Sequence, residues 1–285
     1  MTRGPTGLVR QVSRLPFESV LPMTDAVLLA QRDHIAFITL NRPARANVLD
    51  MEVAPALIAA IASVAADASI RAVLLQSTGK QFCAGGNIAD FVSAGGDLGS
   101  LLDRHIPPLH EAIQQLATLP VPVVAALNGP VGGGGIVLAL CADIVIAAES
   151  MKLRGGYSAI GLTPDAGGSW LLTRRVGAAR AKEIFFTNEA LSAECCLALG
   201  IVSQVVPDAE LAARATALVE SLARGAAGSL ARIKTLVDGA EQRSLREHLA
   251  LEHRFMVEVG RTADAAEGVA AFGQKRVPVF GKGSP

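Results

Sequence analysis

Apolar and polar positions along this chain fall into blocks, and the block lengths name the elements. In DAVLLAQRDHIAFITLNRP (25–43), two β-rich runs flank a polar turn at Gln31–His34, which predicts a hairpin ended by Pro43. Residues 50–66 carry apolar side chains at helical period, with Asp50 where an N-cap belongs. RAVLLQSTG (71–79), VPVVAALNG (121–129) and ADIVIAAE (142–149) are unbroken apolar runs of strand length, as buried parallel strands are. Helices are expected at 109–118, 135–141, 167–174, 179–186 and 192–199, and a short strand in IVSQVVP (201–207). Residues 90–108 show no readable pattern.

Alternation of apolar strands with helices argues an α/β architecture with parallel pairing. After Pro207 the pattern becomes helical, over 208–222 and 228–271. A boundary is therefore placed near 222. Residues 23–222 form the core, and 223–285 form a helical region whose apolar stripe must be buried against the core or another subunit.

Composition narrows the function classes. The chain has 285 residues, with 26 basic and 26 acidic side chains, and is 4% aromatic. A balanced charge with few aromatics excludes a typical nucleic-acid binder. Cys83, Cys141, Cys195 and Cys196 lack metal-ligand spacing, so no metal is expected, and they read as reduced thiols of a cytoplasmic protein. No apolar run reaches the roughly 20 residues of a membrane span. Residues 1–22, with Arg3, Arg10 and Arg14 against Glu18, read as a disordered extension ahead of Met23; a transit peptide is the alternative.

The candidate chemistry begins at four consecutive glycines, Gly132–Gly135, between a buried strand and a helix. Free N–H groups at such a turn attract negative charge. No Lys-Ser/Thr follows, so this is not a phosphate loop, and the spacing is not that of a dinucleotide fold. A second glycine turn, KQFCAGGNI (80–88), also follows a buried strand. Two N–H donors from separate turns can converge on one oxyanion. Tight packing corners are the competing reading.

ITLNRPARANVLD (38–50), KQFCAGGNI, VPVVAALNGPVGGGG (121–135), CADIVIAAESMKL (141–153), IGLTPDAGGSWLLTRRVG (160–177), EALSAECCLALGIVSQVVP (189–207) and FGQKRVPVF (272–280) together resemble the crotonase superfamily, the enoyl-CoA hydratase/isomerase family. The resemblance implies a ClpP-like spiral of ββα units with a C-terminal helical trimerisation region, assembled as a homotrimer or a dimer of trimers. It implies an acyl-CoA thioester as substrate and no cofactor beyond the CoA that the substrate carries. It places the two oxyanion N–H groups at Gly86 and Gly134. It also implies that Ala84, Asn87 and Arg45 hold the nucleotide end of CoA, with Lys275 and the adjoining Phe272 reaching it from a neighbouring subunit.

The chain departs from the hydratases it resembles. Two glutamates that hold and split water in those enzymes match Val137 and Tyr157 here. Valine carries no proton, and tyrosine, with a free pKa of about 10, is a poor base at neutral pH. One carboxylate remains, Asp165 in GLTPDAGGSW, a position that carries protons in family members that isomerise ring epoxides or dienoyl-CoA. Its neighbours Ile160, Leu162 and Trp170 are apolar, surroundings that favour proton transfer. From the residues alone, Asp165 reads instead as the N-cap of the helix at 167–174; the resemblance is what makes it catalytic.

The resemblance thus implies double-bond isomerisation, with Asp165 as the single acid/base and Tyr157 lining the acyl pocket. An alternative is an aroyl-CoA dehalogenase or thioester hydrolase. There Asp165 is the nucleophile and His110, in PPLHEAIQQL, activates water. A third reading is a CoA-thioester-binding scaffold without catalysis.

Overall fold

The computed structural model describes residues 19–24 and 26–281. The expected hairpin forms from β2 (Val27–Arg32) and β3 (Ile35–Leu40). Its turn is tighter than the polarity of Gln31–His34 suggests. Only Asp33 and His34 lie outside the strands, both left-handed at φ 50° and 67°, as a two-residue turn between twisted strands requires.

The expectation of a disordered stretch over 1–22 is corrected at its end. Ser19–Thr24 forms β1, antiparallel to β2. Residues 1–18 lie outside the described residues.

Helix α1 (Val53–Ala66) follows, then β4 (Ala72–Ser77), α2 (Ile88–Ala94) and α3 (Leu98–Ala117). Asp50 does not cap α1: Glu52 holds that position without a side-chain hydrogen bond, and Asp50 is drawn off into ion pairs with Arg42 and Arg45. Helix α3 begins well before the expected 109. Pro107 and Pro108 sit inside it, and they hide its helical stripe from a reading that ends helices at proline.

The chain continues through β5 (Val123–Leu127), β6 (Val131–Gly132), α4 (Gly134–Leu140), β7 (Ile144–Ala148) and β8 (Lys152–Arg154). Next come α5 (Gly168–Thr187), β9 (Leu191–Ser192), α6 (Ala193–Ala198) and β10 (Gln204–Val206). Gly177, at φ 76° and ψ 162°, breaks α5 into two segments, matching the two helices expected there. The large sheet runs β1-β2-β3-β4-β5-β7-β10, and every pairing from β3 onward is parallel. A second, small sheet of β6, β8 and β9 has strands too short for period-two patterning to reveal.

Both faces of the large sheet are covered, which explains the unbroken apolar runs. Val73 and Leu75 of β4 point with Val123, Ala125 and Leu127 of β5 into the main core. Leu74 and Val124 point the other way, onto Leu211, Ala215 and Val219 of α7 (Leu211–Ala223). Each such large side chain withdrawn from water contributes about 1.5–3 kcal/mol.

Beyond α7, the helices α8 (Ala227–Asp238), α9 (Leu245–Gly260) and α10 (Ala263–Gly273) bury only Ala271 among the described residues. Lys234 ties α8 back to the core through Asp143, at 3.1 Å.

Candidate active site

The two glycine turns pack against each other. Gly85 has φ +91°, and a Cβ there would stand 2.7 Å from the Gly132 carbonyl oxygen and 3.1 Å from the Gly134 nitrogen. Only glycine permits that approach. Gly133, at φ +47°, turns the chain from β6 into α4. The contact is pinned from both sides: the Leu49 N–H donates to the Gly85 carbonyl at 2.8 Å, and the Gly132 N–H to the Cys83 carbonyl at 3.0 Å.

Two amides are left over. The Gly134 N–H opens α4 and has no carbonyl one turn behind it. The Gly86 N–H enters none of the turn or bridge hydrogen bonds among the described residues.

Gly86 and Gly134 line one cavity of about 440 Å³, together with Ala84, Tyr157 and Asp165. Its walls are mainly apolar, with Leu49, Phe91, Leu102, Ile106, Leu109 and Ile160 among them. The residues from α3 follow a helical stripe that the two prolines obscure. His105, Arg154 and Asn188 also line the cavity, and the sequence offers no motif that would have found them.

Asp165 is not a helix cap. Gly167 occupies the N-cap of α5, without a side-chain hydrogen bond. The Asp165 carboxylate instead accepts the Tyr157 hydroxyl on Oδ1 at 2.9 Å. Tyr157 is almost fully buried and meets Phe185 edge to face, with 6.0 Å between ring centroids. Burial, followed by the negative charge of Asp165, pushes the tyrosine hydroxyl well above its ordinary value. It therefore stays protonated and serves as a donor. Oδ2 of Asp165 takes no hydrogen bond among the described residues, so this arrangement offers one anchored and one available carboxylate oxygen.

Several expected site residues lie elsewhere. Val137 is fully buried beneath the turn that follows Asp165, its Cγ2 3.3 Å from where a Gly168 Cβ would be, and it does not line the cavity. His110 and Trp170 line a separate groove of about 280 Å³ on the other side of that turn. Trp170 is half exposed, with the Arg174 guanidinium 4.6 Å over its ring. His110 is oriented by its own bond: its Nε2 accepts the Ala166 N–H at 3.1 Å.

Phe272 and Lys275 lie in and just past α10, both exposed, and this single chain does not bring them to the cavity. Asn87 caps α2 through its side chain. Arg45 remains half exposed beside Asp50.

Among the described residues, no group of three or more His, Cys, Asp or Glu side chains could hold a metal ion. None of the described helices is long and apolar enough to cross a membrane.

Comparison with known proteins identifies the family. A sequence model of the enoyl-CoA hydratase/isomerase family matches residues 30–283. The chain is 39% identical over 262 residues to 1,2-epoxyphenylacetyl-CoA isomerase of Escherichia coli, covering 90% of this chain and 99% of that protein. It is 33% identical to trans-2-decenoyl-(acyl-carrier-protein) isomerase of Streptococcus mutans, covering 86% and 94%. The crystal structure of an enoyl-CoA hydratase from Polaromonas sp. JS666 superposes with a TM-score of 0.84 at 33% identity, covering 88% of this chain and 98% of that one. The chain belongs to the enoyl-CoA hydratase/isomerase family of the crotonase superfamily.

Proposed function

We propose that this enzyme shifts the double bond of an enoyl-CoA thioester, with Asp165 as its single acid/base. The observation that carries the reading is the Asp165 carboxylate, held by Tyr157 at 2.9 Å in the same apolar cavity as two glycine turns with unengaged amides. In this mechanism the thioester carbonyl accepts hydrogen bonds from Gly86 N–H and Gly134 N–H. Oδ2 of Asp165 takes a proton from C2 of a 3-enoyl chain, and the negative charge spreads onto the thioester oxygen. The same oxygen of Asp165 then returns the proton at C4, which leaves the 2-enoyl thioester and restores the carboxylate. Each oxyanion donor lowers the barrier by about 2.7–4 kcal/mol.

Hydration needs a pair of groups to hold and split water. Val137 and Tyr157 supply neither a carboxylate nor, with the hydroxyl held protonated, a base. The dehalogenase or hydrolase alternative needs His110 to reach water beside Asp165, and the Nε2 bond to Ala166 argues against it. A scaffold without catalysis would have no use for a carboxylate with one oxygen left free in the cavity.

Ala84, in the cavity wall, and Arg45, paired at 3.4 Å with the cavity-lining Asp50, are suited to the nucleotide end of CoA, as is the segment around Asn87. In this reading Phe272 and Lys275, exposed in and just past α10, serve the CoA of a neighbouring subunit. Exposed Leu245, Leu249 and Met256 on α9 and Val269 on α10 support burial of these helices in a homotrimer or a dimer of trimers.

The test is turnover in D₂O across short, long and aromatic 3-enoyl-CoAs. Double-bond migration with deuterium at C2 or C4 is expected. Release of free CoA, or no turnover on any of them, would overturn the reading.

A further inference from the structure

The turn that carries Asp165 is held in an unusual backbone shape. Ala166 is left-handed at φ +49° and Gly167 at φ +91°, while the Gly168 N–H closes back on the Asp165 carbonyl at 2.7 Å. Residues with a side chain seldom adopt that conformation unless the surroundings fix it. Ala166 is buried, so its N–H needs a partner.

That partner comes from another helix. His110, on α3, accepts the Ala166 N–H on Nε2 at 3.1 Å. An amide N–H can only donate, so Nε2 is the bare nitrogen and the ring proton sits on Nδ1. His110 therefore reaches the turn from the groove behind it, whereas its neighbour Leu109 lines the cavity in front.

We propose that His110 is a positioning residue: it fixes the Ala166 amide, and through it the aim of the Asp165 carboxylate, without touching substrate. This rests on the reading of Asp165 as the proton carrier. Tyr157 and His110 then hold Asp165 from its two ends, one at the carboxylate and one at the adjoining peptide. The demand is geometric, since a displacement of about 1 Å at a reacting group costs on the order of 100-fold in rate.

The experiment compares His110→Ala, His110→Gln and Asp165→Asn on the 3-enoyl-CoA that the intact enzyme turns over best, with amide hydrogen exchange at Ala166 read alongside. The Gln side chain puts an acceptor oxygen about where Nε2 lies but is not a base. Expected is a kcat about 10- to 100-fold lower for His110→Ala with KM nearly unchanged. Ala166 should lose protection in that variant, and His110→Gln should restore both. Asp165→Asn should be inactive.

If Asp165→Asn is inactive but His110→Ala keeps full kcat, the inference fails and the reading of Asp165 survives. The same holds if His110→Gln is as slow as His110→Ala, because the imidazole would then be doing chemistry. Full activity in Asp165→Asn, or no 3-enoyl-CoA turned over by the intact enzyme, overturns the reading and this inference with it. Should His110→Ala fail to fold, His110→Phe, ring-sized and without an acceptor, replaces it in the comparison.

Discussion

The hydroxyl of Tyr157 and the carboxylate of Asp165 lie 2.9 Å apart, and Tyr157 stands at a position that the family resemblance matches to a glutamate of hydratases. The substitution replaces a proton carrier with a donor that holds one. Tyr157→Phe tests what that donor contributes. The ring packing against Phe185 survives the change, so the fold should be retained. A hydrogen bond to a charged group is worth about 1.5–3 kcal/mol, which in a rate is roughly 10- to 100-fold. Steady-state kinetics should show a loss of that size in kcat, with a melting temperature several degrees below that of the parent enzyme. An unaltered kcat would mean that Asp165 needs no anchor.

Tyr157 is the chain's only tyrosine, so phenolate absorbance reports on it alone. Burial and the charge of Asp165 both raise its pKa. The native enzyme should therefore show no phenolate at the pH, about 10, where an unfolded tyrosine titrates. The folded state binds this proton more tightly than the unfolded chain does. Its contribution to stability is complete below the unfolded value and is lost as pH rises through the folded one. In Asp165→Asn the titration should move down, but not to the ordinary value, because burial is the larger cause. A native tyrosine that titrates like the free amino acid would contradict the buried hydrogen bond.

A third prediction concerns the wall of the cavity. Asn47 is buried at φ 51° next to Ala46 at φ 52°. Its side chain accepts the Arg42 N–H at 2.7 Å and donates to the Thr78 and Gln81 carbonyls, both at 2.9 Å. Asn47→Ala strands the Arg42 N–H and the Thr78 carbonyl, while the Gln81 carbonyl keeps the Ser77 hydroxyl at 3.1 Å, and should cost on the order of 2 kcal/mol. Denaturant unfolding measures this directly. The neighbouring Ala84–Ala46 and Leu49–Gly85 backbone bonds should loosen with it, so KM should rise alongside. Full stability in this variant would show that the 42–50 segment is held by other contacts.

How far the sequence discloses this molecule depends on how local each signal is. The parallel strands β4, β5 and β7 were legible because both their faces are buried and the apolar runs have no gaps. The glycine turns were legible because glycine has few other reasons to cluster. Asp165 was not resolved by the residues alone: a cap and a proton carrier look alike in PDAGGS, and only the Tyr157 bond separates them. His110 and Trp170 were expected beside the substrate. Both lie behind the turn: His110 because the side to which a helical residue points depends on how α3 is rotated, which Pro107 and Pro108 disguise, and Trp170 because it sits in the first turn of α5 and faces that groove. His105 and Arg154 reach the cavity from elements that bear no motif. Asp50 looked like a cap, but two arginines in an adjacent turn compete for it successfully.

The last prediction bears on the contact between the two glycine turns. At Gly85 the backbone lies at φ +91°, and an added Cβ would come within 2.7 Å of the Gly132 carbonyl oxygen and 3.1 Å of the Gly134 nitrogen. Those are backbone atoms of the opposing turn and cannot rotate aside as a side chain end does. A left-handed alanine alone costs about 1–2 kcal/mol, and the clash adds to that by pushing the two turns apart. Gly85→Ala should therefore lower the melting temperature by several degrees. It should also lower kcat about tenfold or more, since Gly134 N–H is displaced from the point it would share with Gly86 N–H. Gly96→Ala provides the comparison: nothing lies within 4 Å of a Cβ at that position, and no positive φ is imposed there. That variant should match the parent in both measurements. If Gly85→Ala also matched the parent, the two turns would not need their observed spacing, and polarisation of the thioester by a pair of amides would lose its structural basis.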